Sequence, residues 1–371
     1  MTRKRRYKVR EHQLYTVRPR VWNRLRKENK IDAIYKFRAR KIEFLHRLFM
    51  FPAWLQSAIY SRRIREISFK ESPPVFILGL WRSGTTHLHY LMARDPQFGI
   101  LNNHQAFTFN MSLLSFNKLN RIINIFLPGK RPQDNVKVTL DEPAEEEQPF
   151  CTITHRSSIH SFYFPRNQSY FRKYHLFEGT SEKDKKGWKS KYLWLLKNIR
   201  FYNKKDTLLL KNPHNTGRIK ELLELFPDAK FIYLHRDPYN VFSSTKKLYY
   251  RMISSQFLQF VSKKEIETLI LENNAAILQK YLRERVLIPE GNLVEVGYDE
   301  LVKDPLAILD KIYKDLNLQG LDEAMPGMKE YLASVKNYKK NTYRRLPEPI
   351  ILQINAKWKS WFDEFGYEAM H

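Results

Sequence analysis

Short apolar runs alternate with helically patterned stretches over most of this 371-residue chain. The runs Val75–Leu78, Leu208–Leu210, Lys230–Leu234 and Leu293–Val296 read as strands. Between and after them, apolar residues recur at helical spacing over Thr86–Arg94, Trp188–Phe201, Thr216–Phe226, Tyr239–Tyr250, Lys263–Arg285 and Leu306–Leu316. Strands interleaved with helices predict an α/β fold, with a central, mostly parallel sheet between helical layers. Pro73-Pro74 marks a boundary between residues 1–72 and a domain over 73–371. Residues 128–149 read as a loop rich in proline and acids, and no internal repeat interrupts the pattern.

Charge changes the picture of the first segment. The chain has a formal net charge of +26, and residues 1–70 hold 21 Lys and Arg against 5 Asp and Glu, a local surplus of 16. From Ile31 to Tyr60, Lys36, Arg38, Arg40, Lys41 and Arg47 interleave with Phe37, Phe44, Leu48, Phe49, Phe51 and Trp54. This basic helical extension has two readings: its apolar stripe packs on the main domain, or it lies in a membrane interface. The uncharged stretch Leu48–Ser61 is 14 residues long and contains Pro52, too short for a membrane span. Cys151 is the single cysteine, so no intrachain disulfide forms, in keeping with a reducing cytoplasm. These features predict a cytoplasmic protein, peripheral at the inner membrane face if residues 1–60 make that contact.

The first strand runs into Gly79-Leu80-Trp81-Arg82-Ser83-Gly84-Thr85-Thr86. The glycines have the Walker spacing, but Thr85 stands where a nucleotide-triphosphate site has its lysine. Such a turn aims backbone N–H groups at one point, at the positive end of a helix dipole, and suits phosphate oxygens. In open α/β sheets, ligands sit at the carboxyl ends of strands, where this turn falls. A second strand end carries His235-Arg236-Asp237-Pro238, with Ser244 eight residues past Arg236, about two helical turns into the following helix.

Together these elements resemble the sulfotransferases that use 3′-phosphoadenosine 5′-phosphosulfate (PAPS), in particular their broad, mostly bacterial branch. Arg82-Ser83-Gly84-Thr85-Thr86 resembles the 5′-phosphosulfate loop, and Arg236 with Ser244 the pair that holds the 3′-phosphate. Three more stretches support the likeness: Leu209-Leu210-Lys211-Asn212-Pro213; Tyr298-Asp299-Glu300-Leu301 with Pro305; and Arg131–Val136 with Pro143–Glu147. The resemblance covers residues 73–305 and, more loosely, Lys357-Trp358 to Tyr367. It implies a P-loop-like three-layer fold, PAPS as donor, and a tyrosine, Tyr298, at the adenine. Cytosolic relatives have lysine where this chain has Arg82, which keeps the charge.

Sulfuryl transfer builds charge on the leaving phosphate oxygen, where fixed cations lower the barrier. Arg82 and Lys211 are the candidates. The acceptor hydroxyl needs a general base. Where many relatives have a glutamate, this chain has Asn102-Asn103-His104-Gln105, which makes His104 the first candidate. His214, three residues after Lys211, is the second, and Glu145 and Glu146 the third. No cluster has metal-ligand spacing, and none is expected. The basic, aromatic N-terminus and the region of Phe107, Phe109, Phe116 and Phe126 point to a greasy alcohol as acceptor, a sterol or other lipid. Two other classes stay open: a P-loop kinase or NTPase, and a basic module that binds nucleic acid or membrane through residues 1–70. The first lacks its lysine, and the second leaves Arg82 and Arg236 without a role, so nucleic acid is not the expected partner.

Overall fold

The computed structural model describes residues 12–114, 139–336 and 343–370. Arg131–Val136, Phe116 and Phe126 lie outside them.

Five parallel strands form one sheet: β1 (Val75–Leu78), β2 (Phe98–Ile100), β3 (Thr207–Lys211), β4 (Lys230–His235) and β5 (Leu293–Gly297). Their order is β2-β3-β1-β4-β5, with β1 in the centre. Successive side chains of a strand point to opposite faces. Phe76, Leu78, Leu208, Leu210, Phe231 and Tyr233 therefore face one core with Trp188, Tyr192 and Trp358. Val75, Ile77, Leu209, Ile232 and Leu234 face a second core with Leu88, Leu91, Leu309 and Ile312. Burial on both faces is why the strands read as nearly continuous apolar runs.

Strand β1 coincides with its sequence-predicted run; β3 is longer by one residue at each end, and β4 and β5 by one residue at the carboxyl end. Strand β2 was not predicted. The helix Glu182–Asn203 starts six residues before the expected Trp188, because Ser181 caps it by accepting from the Asp184 N–H. The predicted helix Thr216–Phe226 is instead a 3₁₀ turn over Pro213–Gly217 followed by a short helix, Ile219–Leu223. The chain breaks its helical course at Arg218, whose guanidinium is buried against Glu147 and the Tyr174 carbonyl. The expected loop over 128–149 gives way at its end to a helix, Glu147–Ile153.

Part of the N-terminal segment packs on the main domain, as one of its two readings from sequence has it. Leu14, Val17, Trp22, Leu25 and Ile42 share a core with Cys151, Phe164, Phe171 and Leu258. Further on, the helices Lys36–Leu48 and Met50–Arg65 leave large apolar side chains exposed. Among the described residues, no helix is long and apolar enough to cross a membrane.

Candidate functional site

Register brings the chemistry to one edge. Ile77 of β1 lies beside Lys211 of β3, Leu78 beside Tyr233 of β4, and His235 of β4 beside Gly297 of β5. The turn after the central strand β1 is thus flanked by the strand ends that deliver Lys211, Arg236 and Tyr298, at the point where the sheet order reverses.

The turn is built on its glycines. Gly79 has φ +145° and Gly84 φ +100°, both disfavoured for other residues. A Cβ at Gly79 would fall 2.6 Å from the Leu234 carbonyl, and one at Gly84 would run into the Tyr298 ring. Thr216 pins the turn from the next segment: its Oγ1 accepts from the Gly79 N–H at 2.9 Å and donates to the Gly79 carbonyl at 3.2 Å. Gly84 leads directly into the helix Thr85–Met92. The Ser83 hydroxyl is fully buried and, among the described residues, has no hydrogen-bond partner. An orphaned hydroxyl at a helix N-terminus suits an anion that accepts from it and from the turn's amides. The donor set therefore fits a phosphosulfate group.

Arginines close the site on the β4 side. Arg82 donates from Nε to Ser244 Oγ at 3.0 Å. Ser244 is buried in the helix Pro238–Arg251, which Asp237 caps through the Asn240 N–H. The Arg236 guanidinium lies 4.1 Å from the Tyr298 ring centroid, a cation–π contact. Tyr298 thus roofs Gly84 and carries Arg236 on its face.

On the other side of β1, Lys211 reaches Glu145 Oε1 at 2.5 Å and Thr86 Oγ1 at 3.4 Å. Sequence alone did not pair Lys211 with Glu145. Backbone bonds explain how they meet: Asn103 N–H to Glu142 O at 3.0 Å, His104 N–H to Leu140 O at 3.0 Å, and Ala144 N–H to Leu101 O at 2.8 Å. These tie the strip 140–144 to the segment after β2, and Glu145 follows at the end of β3. The Lys211 side chain is nearly buried, while that of Glu145 is 24% exposed.

The other candidate bases sit differently. Glu146 is fully buried; its Oε1 accepts from Tyr192 Oη at 2.8 Å and Asn215 Nδ2 at 2.7 Å, and its Oε2 has no partner among the described residues. Burial raises its pKa to about 7. Glu147 forms a fully buried ion pair with Arg218, 2.6 Å apart, and accepts from Ser157 Oγ at 2.6 Å and Asn212 Nδ2 at 3.1 Å. Burial pushes its pKa up, but the Arg218 charge and these donors outweigh it and hold it well below the usual carboxylate range. His214 is buried beside this pair, its Nδ1 2.6 Å from Ser158 Oγ and its ring 4.4 Å from that of Trp81. Its Nε2 has no partner among the described residues, and burial lowers its pKa to about 4. His104 is also buried; Tyr202 Oη lies 3.4 Å from its Nδ1 and Thr108 Oγ1 3.5 Å from its Nε2.

Arg82, Ser83, Gly84, Thr85, Thr86, Lys211, Arg236, Ser244 and Tyr298 thus share one edge of the sheet. Thr216, Asn215, Arg218 and Glu147 support it and were not singled out from sequence, although the polar run Asn212–Thr216 directly after an apolar strand was the available signal. Among the described residues, no group of His, Cys, Asp and Glu is arranged to hold a metal ion.

Comparison with known proteins agrees with this geometry. A model of the sulfotransferase family matches residues 73–323. The omega-hydroxy-beta-dihydromenaquinone-9 sulfotransferase Stf3 of Mycobacterium bovis is 28% identical over 313 residues, 84% of this chain and 80% of that protein. Stf3 of Mycobacterium tuberculosis matches equally. The solved sulfotransferase STF9 from Mycobacterium avium has the same fold, with a TM-score of 0.68 at 19% identity over 95% of this chain and 97% of that one. STF1 from Mycobacterium tuberculosis follows, with a TM-score of 0.66 at 18% identity over 92% and 90%.

Proposed function

The chain belongs to the sulfotransferase family, and from that premise we propose that it transfers a sulfuryl group from PAPS to the hydroxyl of a hydrophobic, lipid-like alcohol. The observation that carries the reading is the Arg82–Ser244 hydrogen bond at 3.0 Å. It brings the phosphosulfate-loop arginine and the 3′-phosphate serine of the sequence resemblance to one point.

PAPS, when bound, supplies an activated sulfuryl group on a phosphate leaving group. The Ser83, Thr85 and Thr86 segment would cradle the 5′ end with its amides and hydroxyls. Arg236 and Ser244 would hold the 3′-phosphate, and Tyr298 would take the adenine. Arg82 and Lys211 would stabilise the oxygen on which charge grows, and removing one such group costs about 3 kcal/mol of barrier, on the order of a hundredfold in rate.

For the general base we favour Glu145. A base has to meet the acceptor hydroxyl. Glu145 is partly open to solvent and touches Lys211, whereas His104, His214 and Glu146 are buried. His214 is the next candidate, with its Nε2 unpaired behind Trp81. His104 is third, since its ring nitrogens face Thr108 and Tyr202.

The acceptor class is supported by the name of Stf3, whose acceptor is an omega-hydroxylated dihydromenaquinone, and by the aromatic N-terminal surface. We read the protein as cytoplasmic, drawing such an acceptor from the inner membrane face through residues 1–60. Calorimetric titration with 3′,5′-adenosine bisphosphate against Mg-ATP tests the donor. Micromolar binding of the bisphosphate, weakened by Arg236→Ala, is expected; preference for Mg-ATP would overturn the reading in favour of a kinase. Transfer to hydroxylated isoprenoid quinones is expected, and transfer confined to sugars or polar phenols would overturn the acceptor class.

A further inference from the structure

We propose that the bent helical stretch over residues 36–65 is a docking ridge for an anionic phospholipid bilayer, with the side chains of Phe37, Phe44, Leu48, Phe51 and Trp54 as its inserting edge. The proposal rests on the reading above that residues 1–60 face a membrane, and it names the surface and the lipid.

The exposure is concentrated and one-sided. Phe37 is 81% exposed, Phe44 69%, Leu48 60%, Phe51 66% and Trp54 63%. In the helix Lys36–Leu48, Phe37, Phe44 and Leu48 are spaced by seven and four residues, and in the helix Met50–Arg65, Phe51 and Trp54 by three, so each helix carries its own on one face. Phe51 and Trp54 sit together, with ring centroids 6.0 Å apart. The inward face is occupied: Ile42, His46, Gln56 and Ile64 are buried. Gln56 ties the ridge to the body, donating to the Phe109 carbonyl at 3.0 Å and accepting from the Leu113 N–H at 2.7 Å. The stretch is therefore held rigidly while its outer face stays open. Scattered exposed apolar residues are ordinary, but a contiguous aromatic edge marks an interaction surface.

Charge selects the occupant. Residues 34–65 contain eight Lys and Arg and one acid, Glu43. Glu43 is engaged by Arg26 and Arg47. Lys36, Arg40, Lys41, Arg62, Arg63 and Arg65 are exposed along the same stretch. Large apolar side chains in line with a cationic rim are the pattern of an interfacial helix on anionic lipid. A second copy of this chain would bring one cationic rim against another. Neither helix can span the bilayer, so the ridge lies along it. The anchorage at Phe109 and Leu113 joins the inward face of the ridge to the segment that follows β2 and leads on from His104.

The test is co-sedimentation of the full-length protein with vesicles of phosphatidylcholine alone or of phosphatidylcholine with phosphatidylglycerol. Binding to the anionic vesicles that weakens with added salt is expected. The triple variant Phe44→Ser, Phe51→Ser, Trp54→Ser should lower partitioning at least about tenfold, with bisphosphate affinity and melting temperature unchanged. Equal binding by the variant, no binding by the wild type, or a dimer that the variant converts to monomer would each overturn the proposal. Bisphosphate titration on the same samples reports separately on the donor site, so a failed ridge and a failed sulfotransferase reading give different results.

Discussion

Arg82 and Ser244 are 162 positions apart in the chain and 3.0 Å apart in space, Nε to Oγ. The contact joins the turn after the central strand to the helix after β4. Loss of the hydroxyl leaves the Arg82 charge in place but removes the group that aims it. Ser244→Ala is therefore expected to weaken 3′,5′-adenosine bisphosphate binding by about tenfold, one charged hydrogen bond, with little change in melting temperature. Calorimetric titration checks this; unchanged affinity would separate Ser244 from the donor site.

Gly84 is constrained twice, by φ +100° and by the Tyr298 ring packed against it. Gly84→Ala is expected to abolish bisphosphate binding and lower the melting temperature. Adding Tyr298→Ala relieves the clash but not the backbone strain, which costs about 1–2 kcal/mol, so the double variant should recover only part of the stability. Full recovery in a thermal melt would show that the ring alone sets the requirement.

Lys211 and Glu145 touch each other but have separable roles. Lys211→Ala should lower kcat by roughly a hundredfold or more, as for other groups that stabilise a leaving oxygen. Glu145→Gln keeps the shape and removes the basicity, and should lower kcat about a hundred- to ten-thousandfold with bisphosphate affinity retained. If Glu145→Gln stays within threefold of wild type while His214→Gln or His104→Gln does not, the base moves to that histidine.

Glu146 and the buried histidines give opposite pH dependences. Burial raises the Glu146 pKa to about 7 from 4.5, so the folded protein keeps a proton that the unfolded chain releases. This contribution is fully present below 4.5 and is lost as pH rises through 7. Glu146→Gln mimics the protonated form, and should gain thermal stability relative to wild type as pH is raised across that window. His12 is lowered by burial to about 3, and His160 and His214 to about 4, all from 6.5. The unfolded chain takes up these protons first, so stability falls as pH drops below 6.5. Melting curves of wild type and Glu146→Gln from pH 4 to 8 check both signs; a difference that does not vary with pH would mean that Glu146 is ionised throughout.

Much of the edge that carries the glycine turn was legible because it is local. The strand β1, its glycine turn and the helix behind it are contiguous, and so are β4, Arg236 and Ser244. Strand β2 was not legible: it is three residues with Gly99 in the middle, and a Cβ at that glycine would come 2.9 Å from Leu208 Cδ2. The approach of Glu145 to Lys211 depends on backbone bonds between the strips 140–144 and 101–104, which no spacing encodes. His104 matched the expected register by counting, but its ring is turned to Tyr202, a residue of the helix Glu182–Asn203.

The strip 140–144 also separates two kinds of structural support. The glycine turn, Arg82, Arg236 and Ser244 are built into the central sheet and the helices that continue from it. Glu145 hangs on an added antiparallel pairing outside that sheet, Asn102 opposite Pro143. Insertions and sequence drift in such a strip leave the sheet register untouched. Under the proposed function, the candidate base therefore sits on a loop pairing that can change while the glycine turn and its sheet are kept, and exchanging residues 139–146 between relatives of this fold would test whether the base is separable from the donor-binding turn.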